Sequence, residues 1–177
     1  MPITNYDLLI DKELQWGELT TLDGSRIWAF TNPTNVIIPM GFGVVQGEGD
    51  KGIKLPLPDA ADNLFEGIAY FTDTLEQREG YTLNAAGFFG YPANYTISVI
   101  RRGVVAVPVD QAMSRGNQVF LRHTASAANT AAVPGTFRAA ADGTNTIELA
   151  HARVYKGCAA PAPNKLATCW IDLRMPN

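Results

Sequence analysis

The stretch Tyr95-Thr96-Ile97-Ser98-Val99-Ile100-Arg101-Arg102-Gly103-Val104-Val105-Ala106-Val107-Pro108 decides the fold. Its first half alternates apolar and polar residues, which puts Tyr95, Ile97 and Val99 on one face of a strand. Arg102-Gly103 reads as a turn. Val104 to Val107 is apolar on both faces, as in a buried strand. Pro108 has no N–H to donate, so this strand is expected to end there or to lie at an edge.

The same pattern recurs on either side. Asn117 to Arg122 and Leu166 to Leu173 read as strands, and in the second Cys169, Ile171 and Leu173 share one face. Upstream, Arg26 to Phe30, Phe42 to Gln46, Ile53 to Leu57 and Phe65 to Phe71 read similarly. Asp23-Gly24, Asn32-Pro33, Gly47 to Gly52, Gly116, Pro134-Gly135 and Asp142-Gly143 punctuate them. Strands divided by turns every eight to twelve residues predict an antiparallel all-β sandwich or small barrel. Helix signals are poor: Asp73 to Arg78 and Ala112 to Arg115 could each form a turn. Thr124 to Val133 and Lys156 to Lys165 read as loops.

At 177 residues the chain has the length of one domain, or of one domain with an arm. Residues 1–20 carry Tyr6, Leu8, Leu9, Ile10, Leu14, Trp16 and Leu19, too apolar for a disordered tail. They are expected to form an N-terminal arm that packs on the domain or on a neighbour, with residues 21–177 as the single β-rich domain. Hydrophobic residues make up 46% and charged residues only 18%, below the usual quarter. That deficit suggests that another protein covers part of the surface.

Residues 1–80 hold five basic against thirteen acidic side chains, and residues 81–177 nine against four. Either one fold interleaves the two halves, or they serve self-complementary or partner electrostatics. A nucleic-acid binder needs an overall basic excess, and the chain is at −3. No segment reaches the apolar length of a membrane span. The N-terminus lacks the basic and apolar regions of a signal peptide, so a soluble protein made in the cytosol is expected.

Catalytic constellations fare poorly. Gly47-Glu48-Gly49-Asp50-Lys51-Gly52 has the G-x-G-x-x-G spacing, but the extended Ile53-Lys54-Leu55-Pro56 follows where a dinucleotide site needs a helix. A hairpin loop is expected instead. His123 and His151 have no activated nucleophile nearby and read as strand-surface or satisfied core histidines. Asp59, Asp62 and Glu66, like Asp73, Glu76 and Glu79, read as solvated loop charges rather than a cation site. Cys158 and Cys169 read as free thiols, and a zinc site would need both of them and both histidines. Arg101, Arg102, Arg115, Arg122 and Arg138 read as a basic surface that is solvated or faces a partner.

The order of motifs says more than any one of them. Ile38-Pro39-Met40-Gly41-Phe42-Gly43-Val44-Val45, Ile53-Lys54-Leu55-Pro56 and Phe65-Glu66-Gly67-Ile68-Ala69 come first. Ser98 to Val107, Arg115-Gly116-Asn117-Gln118-Val119-Phe120, Pro134-Gly135-Thr136-Phe137 and Leu166-Ala167 follow. Over roughly residues 15–175 this succession resembles the structural cement proteins of tailed bacteriophages.

The resemblance implies a jelly-roll-like, non-enzymatic protein of the virion, made in the host cytoplasm. It would bind the exterior of an icosahedral head and stabilise contacts between major capsid proteins. Its partners would be the phage major capsid protein and itself, as a homodimer or homotrimer, with no nucleic acid, membrane or cofactor. Tyr6, Leu9 and Trp16 are then the expected contacts of the arm. Arg101, Arg102 and Arg115 are expected to face an acidic surface. The alternative is a β-sandwich binding module of the virion, either a tail or baseplate component or a carbohydrate binder.

Overall fold

The computed structural model describes residues 15–20, 24–58, 60–71, 83 and 87–176. Its spine is one 14-residue strand, Thr96–Val109, which runs straight through the expected Arg102-Gly103 turn. Two different strands flank its two halves. Arg26–Thr31 (β1) pairs with residues 96–102, and Ala167–Arg174 (β11) pairs with residues 102–109. A turn at Gly103 would have folded the halves onto each other; here each half already has a neighbour. In chain order the spine is β7, after Ile38–Pro39 (β2), Gly43–Gln46 (β3), Ile53–Lys54 (β4), Phe65–Ala69 (β5) and Gly90–Tyr91 (β6). Gln118–Arg122 (β8), Phe137–Arg138 (β9) and Thr146–Lys156 (β10) follow it.

The strands β7, β11, β10, β8 and β9 close into a ring, because β7 pairs with both β11 and β9. The choice between sandwich and barrel thus falls to a small closed barrel. Its interior holds Val105, Val107, Val109, Leu121, Phe137, Leu149, Ile171 and Leu173, all at most 1% exposed. Each such aliphatic side chain contributes about 1.5–3 kcal/mol when removed from water. On the other side of β7 the sheet continues through β5, β3 and β4. A second core of Phe30, Ile38, Met40, Val44, Ile53, Tyr91, Ile97 and Val99 lies there.

The spine therefore serves both cores. Ile97 and Val99 face the second core, whereas Ile100, Val105, Val107 and Val109 face the barrel. Strict alternation would put residues 105, 107 and 109 on the face of residues 97 and 99. The β1–β7 register slips by one residue, from Ile27↔Ile100 to Arg26↔Arg102, so Arg101 and Arg102 together oppose Arg26. Such a bulge exchanges the faces of everything beyond it. Gly103 follows at φ 136, a conformation that side chains rarely adopt.

Other expectations shift in extent. The Ile53 strand stops at Lys54, ahead of Pro56, which cannot donate to a ladder. Gly47 to Gly52 is the expected hairpin loop, joining antiparallel β3 and β4. Ala112 to Arg115 forms no helix: Met113 bridges to Cys158, and Ser114 N–H donates to Asn117 Oδ1 at 2.7 Å. The one short helical turn among the described residues is the 3-10 turn Asp62–Leu64. The possible turn at 73–78 lies outside the described residues.

Candidate interaction surface

Two of the expected contact features lie on the described body, the Trp16 corner and the arginines of β7. The described part of the expected arm begins at Gln15 and lies along β7. Gly17 N–H donates to Ala106 O at 2.8 Å, Ala106 N–H to Glu18 O at 3.0 Å and Thr20 N–H to Val104 O at 2.9 Å. The Trp16 indole Nε1 donates to Thr168 Oγ1 at 3.0 Å. Its ring packs 6.5 Å from Phe42 and 5.7 Å from Phe88, whose own rings are 5.3 Å apart, in the tilted geometry that aromatic pairs prefer. Gly41, at φ 78, leaves room for this, since a Cβ there would run into the Trp16 Cβ.

Trp16 is therefore seated on the body where the N-terminal segment joins it. It stays half-exposed and forms the wall between two grooves. One, of about 660 Å³, is lined by Phe88, Ala131, Lys165 and Leu166. The other, of about 230 Å³, is lined by Met40, Phe71 and Phe89. Tyr6 and Leu9 lie outside the described residues.

The three arginines singled out from the sequence occupy three different surroundings. Arg101 is ion-paired with Glu66 and stacks 4.5 Å over the Trp28 ring. Arg102 is exposed and shares one rung with Arg26 of β1 and Arg174 of β11. Arg115 lies in the turn before β8, with its guanidinium 5.9 Å over Tyr155 of β10. Like charges abreast on neighbouring strands repel one another. Asp172, two residues back along β11 and bonded to Arg174 at 2.6 Å, offsets part of that.

Arg122 and Arg138 do not belong to a basic surface, contrary to expectation. Arg122 is 1% exposed at the barrel end, 2.8 Å from both Asp110 and Asp142. Arg138 reaches Asp142 at 2.9 Å and donates to Gln111 Oε1 at 2.9 Å. Hydrogen bonding from Arg122 is the main cause holding the Asp142 carboxyl below its usual range, and the charges of Arg122 and Arg138 add to it. No motif announces this network, because its members come from four separate stretches of chain.

The remaining candidates scatter. His123 is buried beside Thr124 Oγ1 at 2.9 Å, and His151 is exposed on β10. Asp62 approaches Ala150 N at 3.5 Å while Glu66 holds Arg101, so these two do not converge on a cation. Among the described residues no cluster of His, Cys, Asp and Glu could hold a metal ion. What the surface offers is anchored aromatic and cationic groups on a rigid β framework, the equipment of a binding or structural protein.

The comparisons with known proteins agree. The profile of the structural cement protein family (E217 gp24/Pam3 gp6) matches residues 15–169, and the chain belongs to that family. Membership implies a structural role in a phage capsid, in association with capsid proteins. Among solved structures, a chain described as the capsid of Myoviridae Phage XM1 shares the fold. The TM-score is 0.64 at 18% identity, over 91% of this chain and 90% of that one. No curated protein matches.

Proposed function

We propose that the protein is a cement protein that binds the exterior of a tailed-phage icosahedral head and stabilises contacts between major capsid proteins. The observation that carries this reading is the family match, which begins at residue 15, just before the chain docks on β7 through the backbones of Gly17, Glu18 and Thr20. The barrel supplies a platform, and the apolar segment around Tyr6 and Leu9 serves as a contact arm. Arg101, Arg102 and Arg115 supply cationic contacts to an acidic surface, and the protein acts as a homodimer or homotrimer. A ligand that prefers the assembled shell to free subunits stabilises the shell by mass action. Repetition over many sites turns modest interfaces into large collective stability.

The test is co-sedimentation of the purified chain with expanded shells of its cognate capsid protein, read as copies per shell. Saturation at a number fitting icosahedral sites is the expected result. A folded protein that leaves every shell bare at high concentration overturns the reading.

A further inference from the structure

The two cysteines have no part in the surface described above, yet the fold brings them together. Cys169 is 1% exposed in the barrel core, and Cys158 packs against that same core, half-buried. The Cys169 thiol donates to Lys156 O at 3.2 Å, two residues short of Cys158. Cys158 is fixed by paired backbone bonds with Met113, at 3.2 and 3.0 Å, and its thiol approaches Gln111 O at 3.9 Å. The Cys158 thiol is also among the groups that raise the Cys169 thiol. Burial, and then the neighbouring sulfur, push the Cys169 thiol up to about 12, so Cys158 is the sulfur available for first attack.

Between the cysteines run the loop of residues 159–166 and the first residues of β11, and together they hold the Trp16 corner. Thr168 accepts the Trp16 indole N–H, and Lys165 and Leu166 line the larger groove beside it. Asn164, at φ 56, accepts Thr130 N–H at 3.1 Å and ties the loop to residues 129–131.

We propose that Cys158 and Cys169 form an intrachain disulfide when the protein meets a small-molecule disulfide, and that this bond fastens both ends of the loop holding Trp16. The Cys158 thiolate attacks the small disulfide, whose S–S bond breaks and releases one thiolate, which takes up the proton from Cys158. Cys169 then loses its proton and attacks the Cys158 sulfur of the mixed disulfide, which expels the second small thiol. Two protein thiols are oxidised and one small disulfide is reduced, in balance. A capsid protein is made in a reducing cytosol and meets an oxidising medium after release. The clasp would thus close only on finished particles. That consequence rests on the capsid reading; the bond itself does not.

The test treats the folded full chain with oxidised glutathione and counts thiols after unfolding. Both thiols are expected to disappear, with a mass loss of two hydrogens and no covalent dimer on a non-reducing gel. Cys169→Ser is expected to stop at a stable glutathione adduct on Cys158, and Cys158→Ser to leave Cys169 unreacted. Tryptic cleavage after Lys165 is expected to slow several-fold in the oxidised protein. Two thiols surviving in the folded wild type, or wild type halting at the glutathione adduct, overturns the disulfide. Unchanged cleavage after Lys165 overturns the clasp. A bond that forms in protein unable to bind shells overturns the capsid reading alone.

Discussion

Ile100 and Val105 face the same barrel core although they stand five positions apart, an odd offset that puts residues on opposite faces of a regular strand. The extra residue at Arg101-Arg102 makes this possible, and Gly103 lets the strand recover its course. One strand can then close a barrel with one half and cover a second core with the other. Arg101 and Arg102, two of the three arginines expected to meet partners, stand at this exchange point.

Gly103 is where that arrangement is most exposed to substitution. A Cβ there meets Leu19 Cδ2 at 2.9 Å in a backbone conformation that side chains avoid. Gly103→Ala is expected to destabilise the fold by about 1–3 kcal/mol, seen as a lower urea midpoint at unchanged slope. Gly143→Ala, at φ 53 with open space around it, samples only the smaller cost of the left-handed region and is expected to lose less. A loss at Gly103 no larger than at Gly143 would show that neither its φ of 136 nor the approach of Leu19 makes it special.

Arg122 holds the barrel end through two carboxylates. Arg122→Leu leaves Asp110 nearly buried beside Arg138 at 3.6 Å, without its closer partner. Removing one partner of a buried pair costs about 3–5 kcal/mol, and a loss of that size in equilibrium unfolding is expected. A change below about 1 kcal/mol would mean that Arg138 takes over the role.

The same network sets an acid limit. The folded-state pKa of Asp142 is lowered, so its stabilising contribution is fully present above the unfolded value of about 4. It is lost as pH falls through the folded value. Urea midpoints are expected to fall below about pH 4 more steeply in the wild type than in Asp142→Asn. Identical acid profiles would remove Asp142 as a cause.

The arm and the corner that anchors it separate by truncation. Deleting residues 1–14 keeps Trp16 and its bond to Thr168, so the β spectrum and melting temperature are expected to persist while copies per shell fall. Full occupancy by the truncated chain would show that the arm makes no contact.

Cationic contacts are read through salt. Arg102→Glu removes an exposed charge from a rung that already holds Arg26 and Arg174, so folding is expected to be unharmed. Shell binding is expected to weaken most at low ionic strength, where exposed charges interact over tens of ångströms. Salt-independent loss would point to local damage at the strand instead.

Much of the barrel was legible from alternation. Residues 118–122 and 167–174 read as strands because their inward side chains keep a period of two. β10 was read as a strand only around His151, because its inward residues fall at Leu149, Ala152 and Val154, and the register shift between Leu149 and Arg153 breaks the period that would have shown its full extent. The spine was misread at Arg102-Gly103 because a bulge and a turn look alike until the neighbours are known. Arg122 was placed on the surface because a lone arginine after an apolar strand does not reveal the carboxylates, twelve residues before it and twenty after, that enclose it. Of the proposed contact residues, sequence composition marked Trp16 and the arginines, but only the fold shows Trp16 seated against Phe42 and Phe88.

Ring closure also bears on copy number. Five strands that pair all the way round leave no open ladder among them for a further chain to continue. At the far end of the sheet β4 is two residues long, and the end of β1 is capped where Thr31 N–H donates to Lys51 O at 2.8 Å. The ring itself thus offers no edge from which fibres could propagate by strand addition. On the proposed reading as a cement protein, the number of copies that assemble would be dictated by the lattice that receives them, and accumulation would stop when its vacancies are filled.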